Sequence, residues 1–212
     1  MIELIYRNWS IFPLLGSVSL LSGCVSGTGS TASQTQIPSD TARPSSDDGP
    51  VMQAALAISM GQEGETHFDA EALRTAAQTL DSLGARPDAD QQEDLSKRWG
   101  EQAMVIDPST APPVYRGRAL GPSYKKGMVS AVSTVSTEQI FLAGKKASVA
   151  LVPVSSKLIS ITISDGQGKN ICNRSTSSKP ANCHWLPLFT ERYRINVQTS
   201  ARQPVSYYLV SN

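Results

Sequence analysis

The sequence predicts a mainly β protein. An antiparallel, jelly-roll-like β-sandwich over residues 107–212 follows a small helical block over 51–106 and a disordered tether over 24–50. Three observations lead there. From about residue 137 onward, apolar residues recur at every second position, the period of a strand with one buried face. Between residues 51 and 105 they recur at three- and four-residue spacing, the period of a helix. Between Val25 and Pro50 the chain is mostly Ser, Thr, Gly, Asp and Pro. Such a segment cannot bury enough surface to offset its conformational entropy. With 212 residues, 40% of them hydrophobic, the chain can build one sandwich-sized core and a smaller block beside it.

In the helical block, Met52, Ala55, Leu56 and Met60 fall on one helical face, and Gly61 to Glu65 reads as a break. Asp69 is placed to cap the next helix, whose apolar face is Leu73, Ala76, Ala77, Leu80 and Leu83. Gly84 stands where a C-cap belongs. Pro87 and Asp88 open a third segment, with Leu95 and Trp99 one turn apart and Gly100 fraying it. Faces built largely of alanine imply close packing and a thin core, so this block is expected to lean on the C-terminal domain.

After a Pro-rich hinge at Asp107 to Pro113 the period changes to two. Ile140 and Leu142 alternate with Phe141. Ala147, Val149 and Leu151 share a face, as do Ile159, Ile161 and Ile163. Tyr193, Ile195 and Val197 alternate with Arg192, Arg194 and Asn196, and Tyr207 and Leu209 alternate with Tyr208 and Val210. Turn signals at 143–146, 165–168 and 202–204 separate these runs. Shorter runs at Tyr115 to Ala119, Lys126 to Val132 and Ile171 to Arg174 offer further strands. Such spacing with polar turns indicates a sandwich.

The N-terminus carries an address. The apolar run Ile11 to Leu21 contains Pro13 and is far shorter than the roughly 20 residues a membrane span needs. It leads into Leu21-Ser22-Gly23-Cys24, which resembles the lipobox of bacterial lipoproteins. The resemblance implies a signal peptide over 1–23 and a lipidated, palmitate-bearing Cys24 as the mature N-terminus. The chain is then held to the membrane by that lipid, and Val25 after the cysteine favours the outer membrane. Cys172 and Cys183 remain as a pair in an exported chain, where disulfides persist. They flank a polar loop and would pin a hairpin across its strands, with Trp185 packed nearby and His184 pointing outward.

Residues from about 137 to 211 resemble the bacterial pre-peptidase C-terminal β-sandwich domain. Carrying the likeness are Ile140-Phe141-Leu142-Ala143-Gly144, Ile161-Thr162-Ile163-Ser164-Asp165 with Gly168, Cys183-His184-Trp185-Leu186-Pro187, Tyr193-Arg194-Ile195-Asn196-Val197, and Tyr207-Tyr208-Leu209-Val210-Ser211-Asn212. Leu158-Ile159-Ser160 stands where that family often has an acidic pair entering its central strand, so a calcium role is not inherited. The resemblance implies a non-catalytic accessory module.

The residues give no counter-signal of catalysis. His67 and His184 are the chain's two histidines, without the partners that zinc or nucleophilic chemistry requires. No HExxH, GxSxG or P-loop occurs. Asp165-Gly166-Gln167-Gly168 reads as a hairpin turn, since a calcium loop's later acidic positions are missing. No catalytic residue, metal or cofactor is expected.

A net charge of +1 conceals an asymmetry. Residues 25–107 hold 14 acidic against 5 basic side chains, a net of −9, whereas 108–212 hold 3 against 13, a net of +10. Arg116 and Arg118, and again Arg192 and Arg194, are two apart and project in pairs from one strand face; Lys125-Lys126 and Lys145-Lys146 read as turn residues. An anion-binding face is one reading, with an envelope protein or an anionic envelope polymer as partner and nucleic acid unexpected outside the cytoplasm. Docking of the acidic helices on the basic sandwich is the other. The function expected is a membrane-anchored, non-enzymatic binding or structural module. The competing class is an envelope or cell-wall hydrolase or its accessory subunit.

Overall fold

A computed structural model describes residues 49–91, 93–109 and 120–212. Cys24, Arg116, Arg118 and the run Tyr115 to Ala119 lie outside the described residues. Three helices, α1 (Pro50–His67), α2 (Ala70–Ser82) and α3 (Leu95–Ile106), precede eight longer strands. A two-residue strand, β1 (Arg86–Pro87), falls between α2 and α3. The others are β2 (Ser123–Val129), β3 (Ser133–Phe141), β4 (Ala147–Pro153), β5 (Ile159–Ser164), β6 (Asn170–Thr176), β7 (Ala181–Trp185), β8 (Glu191–Thr199) and β9 (Val205–Ser211).

The strands form two sheets. The first runs in the order β1, β2, β9, β4, β7 and the second in the order β3, β8, β5, β6. The long strands pair antiparallel, while β1 joins β2 in parallel. This is the mainly β sandwich the periodicity predicts. Between the sheets pack Val149 and Leu151 of β4, Ile159, Ile161 and Ile163 of β5, Ile195 and Val197 of β8, and Tyr207 and Leu209 of β9.

The other face of the first sheet is also covered. Ala150, Val152, Tyr208 and Val210 join Tyr124 in a second core with the helices, whose contribution is Ala54, Ala55, Ala57, Ile58, Leu73, Ala76, Ala77, Leu80, Leu95, Trp99 and Ala103. Because β4 and β9 are buried on both faces, they read as nearly continuous apolar runs. Helix α1 lies directly against β4 and β9, and its alanines let backbone and sheet approach closely.

Three helix expectations are corrected. Gly61 to Glu65 does not break α1, which continues through it. Gly61 is a contact point: a Cβ there would lie 2.4 Å from the Trp99 ring. Pro87 and Asp88 do not open α3. Arg86 and Pro87 pair with Ser123 and Tyr124, and α3 starts at Leu95 behind Asp94, whose carboxylate accepts the Ser96 and Lys97 amides. The buried Leu95 amide donates to the Tyr124 hydroxyl at 2.8 Å, so a sheet side chain fixes the start of α3. Gly100 does not fray α3 either, since the helix runs on to Ile106.

The predicted caps of α2 are present. Asp69 accepts the Glu71 and Ala72 amides, each at 3.0 Å. At the other end Ala85 N–H donates to Leu80 and Gly84 N–H to Asp81, with Gly84 at φ 64°, the left-handed ending that glycine adopts without strain.

Cys172 and Cys183 are disulfide-bonded, with Cα atoms 6.0 Å apart. They do not pin a hairpin. β6 is the edge of the second sheet and β7 the edge of the first, so the bridge staples the two sheets along one open side. Periodicity placed the strands correctly; it carries no information on which sheet each joins.

Candidate functional site

The second sheet turns one face to the core and the other outward. Alternation puts Ile159, Ile161 and Ile163 inside, and therefore Ser160, Thr162 and Ser164 outside. On β8 the same rule turns Arg192, Arg194, Asn196 and Gln198 outward. On β3, Ser136, Glu138 and Ile140 stand beside them, in register with Asn196, Arg194 and Arg192. The result is a largely polar face with paired arginines near one end, where exposed Ile140 stands beside Arg192.

Glu138 is the residue that spacing could not reveal. The Arg194 guanidinium donates to it at 3.2 Å and Arg192 at 3.3 Å. Hydrogen bonds from Arg194 first, and Arg192 next, hold the Glu138 carboxyl below its ordinary range. The Arg192 and Arg194 side chains nonetheless remain 65% and 58% exposed. Each guanidinium has more donors than one carboxylate can engage, so the pair can still meet an anion from solvent. The neighbouring Ser136 hydroxyl donates to Asn196 at 2.7 Å, which orders the polar row beyond them.

The charge asymmetry resolves differently from the docking expected. The helices cover the first sheet, on the far side of the sandwich from Arg192 and Arg194, and do so through the apolar residues above. Two acidic side chains of the helical block, Glu65 and Glu93, find a cation inside that block. Arg98 bridges to Glu65 at 2.6 Å and also to Glu93. Burial works against its charge, but the Glu93 hydrogen bond and the attraction of Glu65 outweigh this and raise its pKa. Lys125 and Lys126 lie in β2 rather than in a turn, with the Lys126 ammonium 5.9 Å from the Tyr208 ring centre. Lys145 and Lys146 do lie in the turn between β3 and β4.

One end of the sandwich has a different character. The β3–β4 turn and the β7–β8 loop are tied together there, with Gly144 N–H donating to Pro187 at 2.9 Å and Ala143 N–H to Thr190 Oγ1 at 3.0 Å. Beneath them Phe141, Trp185 and Tyr193 form an aromatic cluster with ring centres 4.9–5.8 Å apart, Phe141 edge-on to both and Trp185 tilted against Tyr193. Above it, Leu142, Leu186, Leu188 and Phe189 are exposed.

His67 and His184 are both exposed. Asp165 spends its carboxylate on the Gln167 and Lys169 amides at 3.0 and 2.8 Å, which makes 165–168 a turn. Among the described residues no cluster of His, Cys, Asp and Glu could hold a metal ion, and no helix is long and apolar enough to cross a membrane. A cavity of about 740 Å³ is bounded by Gly49, Pro50, Leu120, Lys146 and Asn212; Gly49 and Leu120 are where the described chain begins and resumes.

No protein-family model matches the chain, and no curated protein matches it. Solved structures overlap it in part. A periplasmic inhibitor of g-type lysozyme from Aeromonas hydrophila is 17% identical over 43% of this chain and 84% of its own, with a TM-score of 0.35. The pre-peptidase C-terminal domain of a Bacillus anthracis collagenase is 12% identical over 42% of this chain and 87% of its own, also at 0.35. A Yersinia pseudotuberculosis-derived mitogen is 10% identical over 43% and 85%, at 0.36. These are partial overlaps.

Proposed function

We propose that this chain is a non-enzymatic binding module of a bacterial cell envelope. It is anchored by lipid on Cys24, outer-membrane facing, and engages an anionic envelope partner through the outward face of β3, β8 and β5. The observation that carries the proposal is the Arg192–Arg194 pair. It is held side by side, oriented by one carboxylate, and exposed on a largely polar face, while the other sheet has both faces covered. The lipobox-like Leu21 to Cys24 supports the location.

Sedimentation with purified peptidoglycan, and separately with lipopolysaccharide, tests the binding arm. Binding to either should weaken with salt as the Debye length falls to about 3 Å near 1 M, and should be lost in Arg192→Glu/Arg194→Glu. Sedimentation indifferent to that double variant would remove the basic face from the account. Fractionation of Cys24→Ser tests the anchor: the protein should leave the membrane pellet, and retention against a salt wash would overturn lipid attachment.

A further inference from the structure

The exposed apolar end of the sandwich lies on the loops beyond the polar sheet face. Leu186 is 61%, Leu188 80%, Phe189 73% and Leu142 58% exposed. Four large side chains presented by two adjoining loops form a patch rather than scattered surface hydrophobes. The patch is rigidly offered. Two cross-loop hydrogen bonds and the Phe141–Trp185–Tyr193 cluster fix the loops from below, so little ordering entropy remains to be lost on binding.

Two further observations specify the occupant. The first is charge. Lys145 and Lys146 flank Leu142, and Lys169 of the β5–β6 turn and Arg192 at the start of β8 stand at the same end, all exposed. The four basic side chains outnumber the two acids at this end, Asp165 and Glu191, and Asp165 accepts the Gln167 and Lys169 amides. Apolar side chains rimmed by lysines are the pattern of a surface that dips into an anionic bilayer interface. The second is where the described chain begins. Gly49 and Pro50 bound the same cavity as Lys146 and Asn212, so the described chain begins beside this end.

We infer that the loop end formed by Leu142 and Leu186 to Phe189 is a membrane-contacting tip that inserts into the interface of an anionic phospholipid surface, with Lys145 and Lys146 meeting the headgroups. Such a tip fixes orientation, which a flexible tether does not, and directs the Arg192–Arg194 face along the membrane plane. It adds a protein-made contact to the envelope reading, and the test dispenses with Cys24 so that the two fail separately.

The test uses the full chain as Cys24→Ser, carrying either Leu188→Cys or, as a control on the polar sheet face, Thr162→Cys, labelled with an environment-sensitive fluorophore with the disulfide kept oxidised. Vesicles of phosphatidylethanolamine and phosphatidylglycerol are added, and vesicles of phosphatidylcholine in parallel. The expected result is a blue shift at position 188 with the anionic vesicles and none at 162. Lys145→Glu/Lys146→Glu should raise the lipid concentration for half-maximal response by about tenfold or more, and Phe189→Ser should weaken it independently. Matched thermal unfolding of each variant excludes misfolding. The inference is overturned by no shift at 188, by equal shifts at 188 and 162, or by a response at 188 indifferent to lipid charge. A shift that appears without vesicles and grows with protein concentration would also overturn it, assigning the patch to a second copy of the chain.

Discussion

Gly61→Ala separates two accounts of the same residue by the sign of its effect. If Gly61 were a helix interruption, replacing it with alanine inside α1 would recover about 1 kcal/mol of helix propensity. The packing demands the reverse. Gly61 is buried, and its Cβ would meet Trp99 Cη2 and Cζ3 at 2.4 Å and Cε3 at 2.5 Å. Ordinary carbon contacts begin near 3.5 Å, so the ring would have to retreat by about 1 Å. Trp99 is fully buried and cannot swing into solvent. Overpacking of this kind costs about 1–3 kcal/mol, and the ring's displacement lies at the upper end of that range. After the propensity gain, the net loss should be about 1–2 kcal/mol, a fall in Tm of about 2–8 °C for a unit of this size. Urea unfolding of Gly61→Ala, Trp99→Phe and the double variant measures it. In the Trp99→Phe background the smaller ring leaves room, and Gly61→Ala should become neutral or stabilising, giving a coupling of about 1–3 kcal/mol. A stabilised Gly61→Ala in the native background, or strict additivity, would refute the close approach of the Trp99 ring to Gly61.

Removing the inter-sheet bridge with Cys172→Ser/Cys183→Ser should cost about 2.8 kcal/mol by loop-closure entropy. Amide exchange should rise in β6 and β7 together, because both edges are freed; faster exchange in one of them alone would contradict a staple between sheets. The Glu138 carboxyl should titrate below an ordinary glutamate by NMR and move back up in Arg194→Gln and, less, in Arg192→Gln. Since its folded pKa is depressed, the arginine contacts contribute stability above the unfolded pKa and lose it as pH falls through the folded value. An unshifted Glu138 would show that these contacts do not persist in solution.

The sequence carried the β architecture because period-two alternation is a local signal that one buried face imposes on every strand. β5 and β8 are written that way: Ile159, Ile161 and Ile163 against Ser160, Thr162 and Ser164, and Tyr193, Ile195 and Val197 against the arginines. The caps of α2 were legible for the same reason, since Asp69 and Gly84 act within a turn of themselves. Where both faces are buried the signal fades, as in β9, whose Tyr208 and Val210 face the helices. In β3 the alternation was visible but not its sense: Phe141 packs inward, while Ile140 and Leu142 are exposed.

The candidate sites divide along the same line. Two arginines two residues apart must share a strand face, so Arg192 and Arg194 could be paired from spacing. Their partner Glu138 lies on another strand and is found through sheet register. The pairing of Cys172 with Cys183 was expected from the lipobox resemblance, which sets Cys24 aside, but that they join two sheets depends on β6 and β7 parting to opposite sides of the core. Gly61 looked like a break because glycine weakens a helix on its own, and tertiary packing decided otherwise. The sequence by itself determined what each short segment prefers, through periodicity, caps and turns acting over a few residues. The tertiary structure decided which faces were covered and which residues met, because those contacts join segments far apart in the chain and are fixed by burial of the shared core.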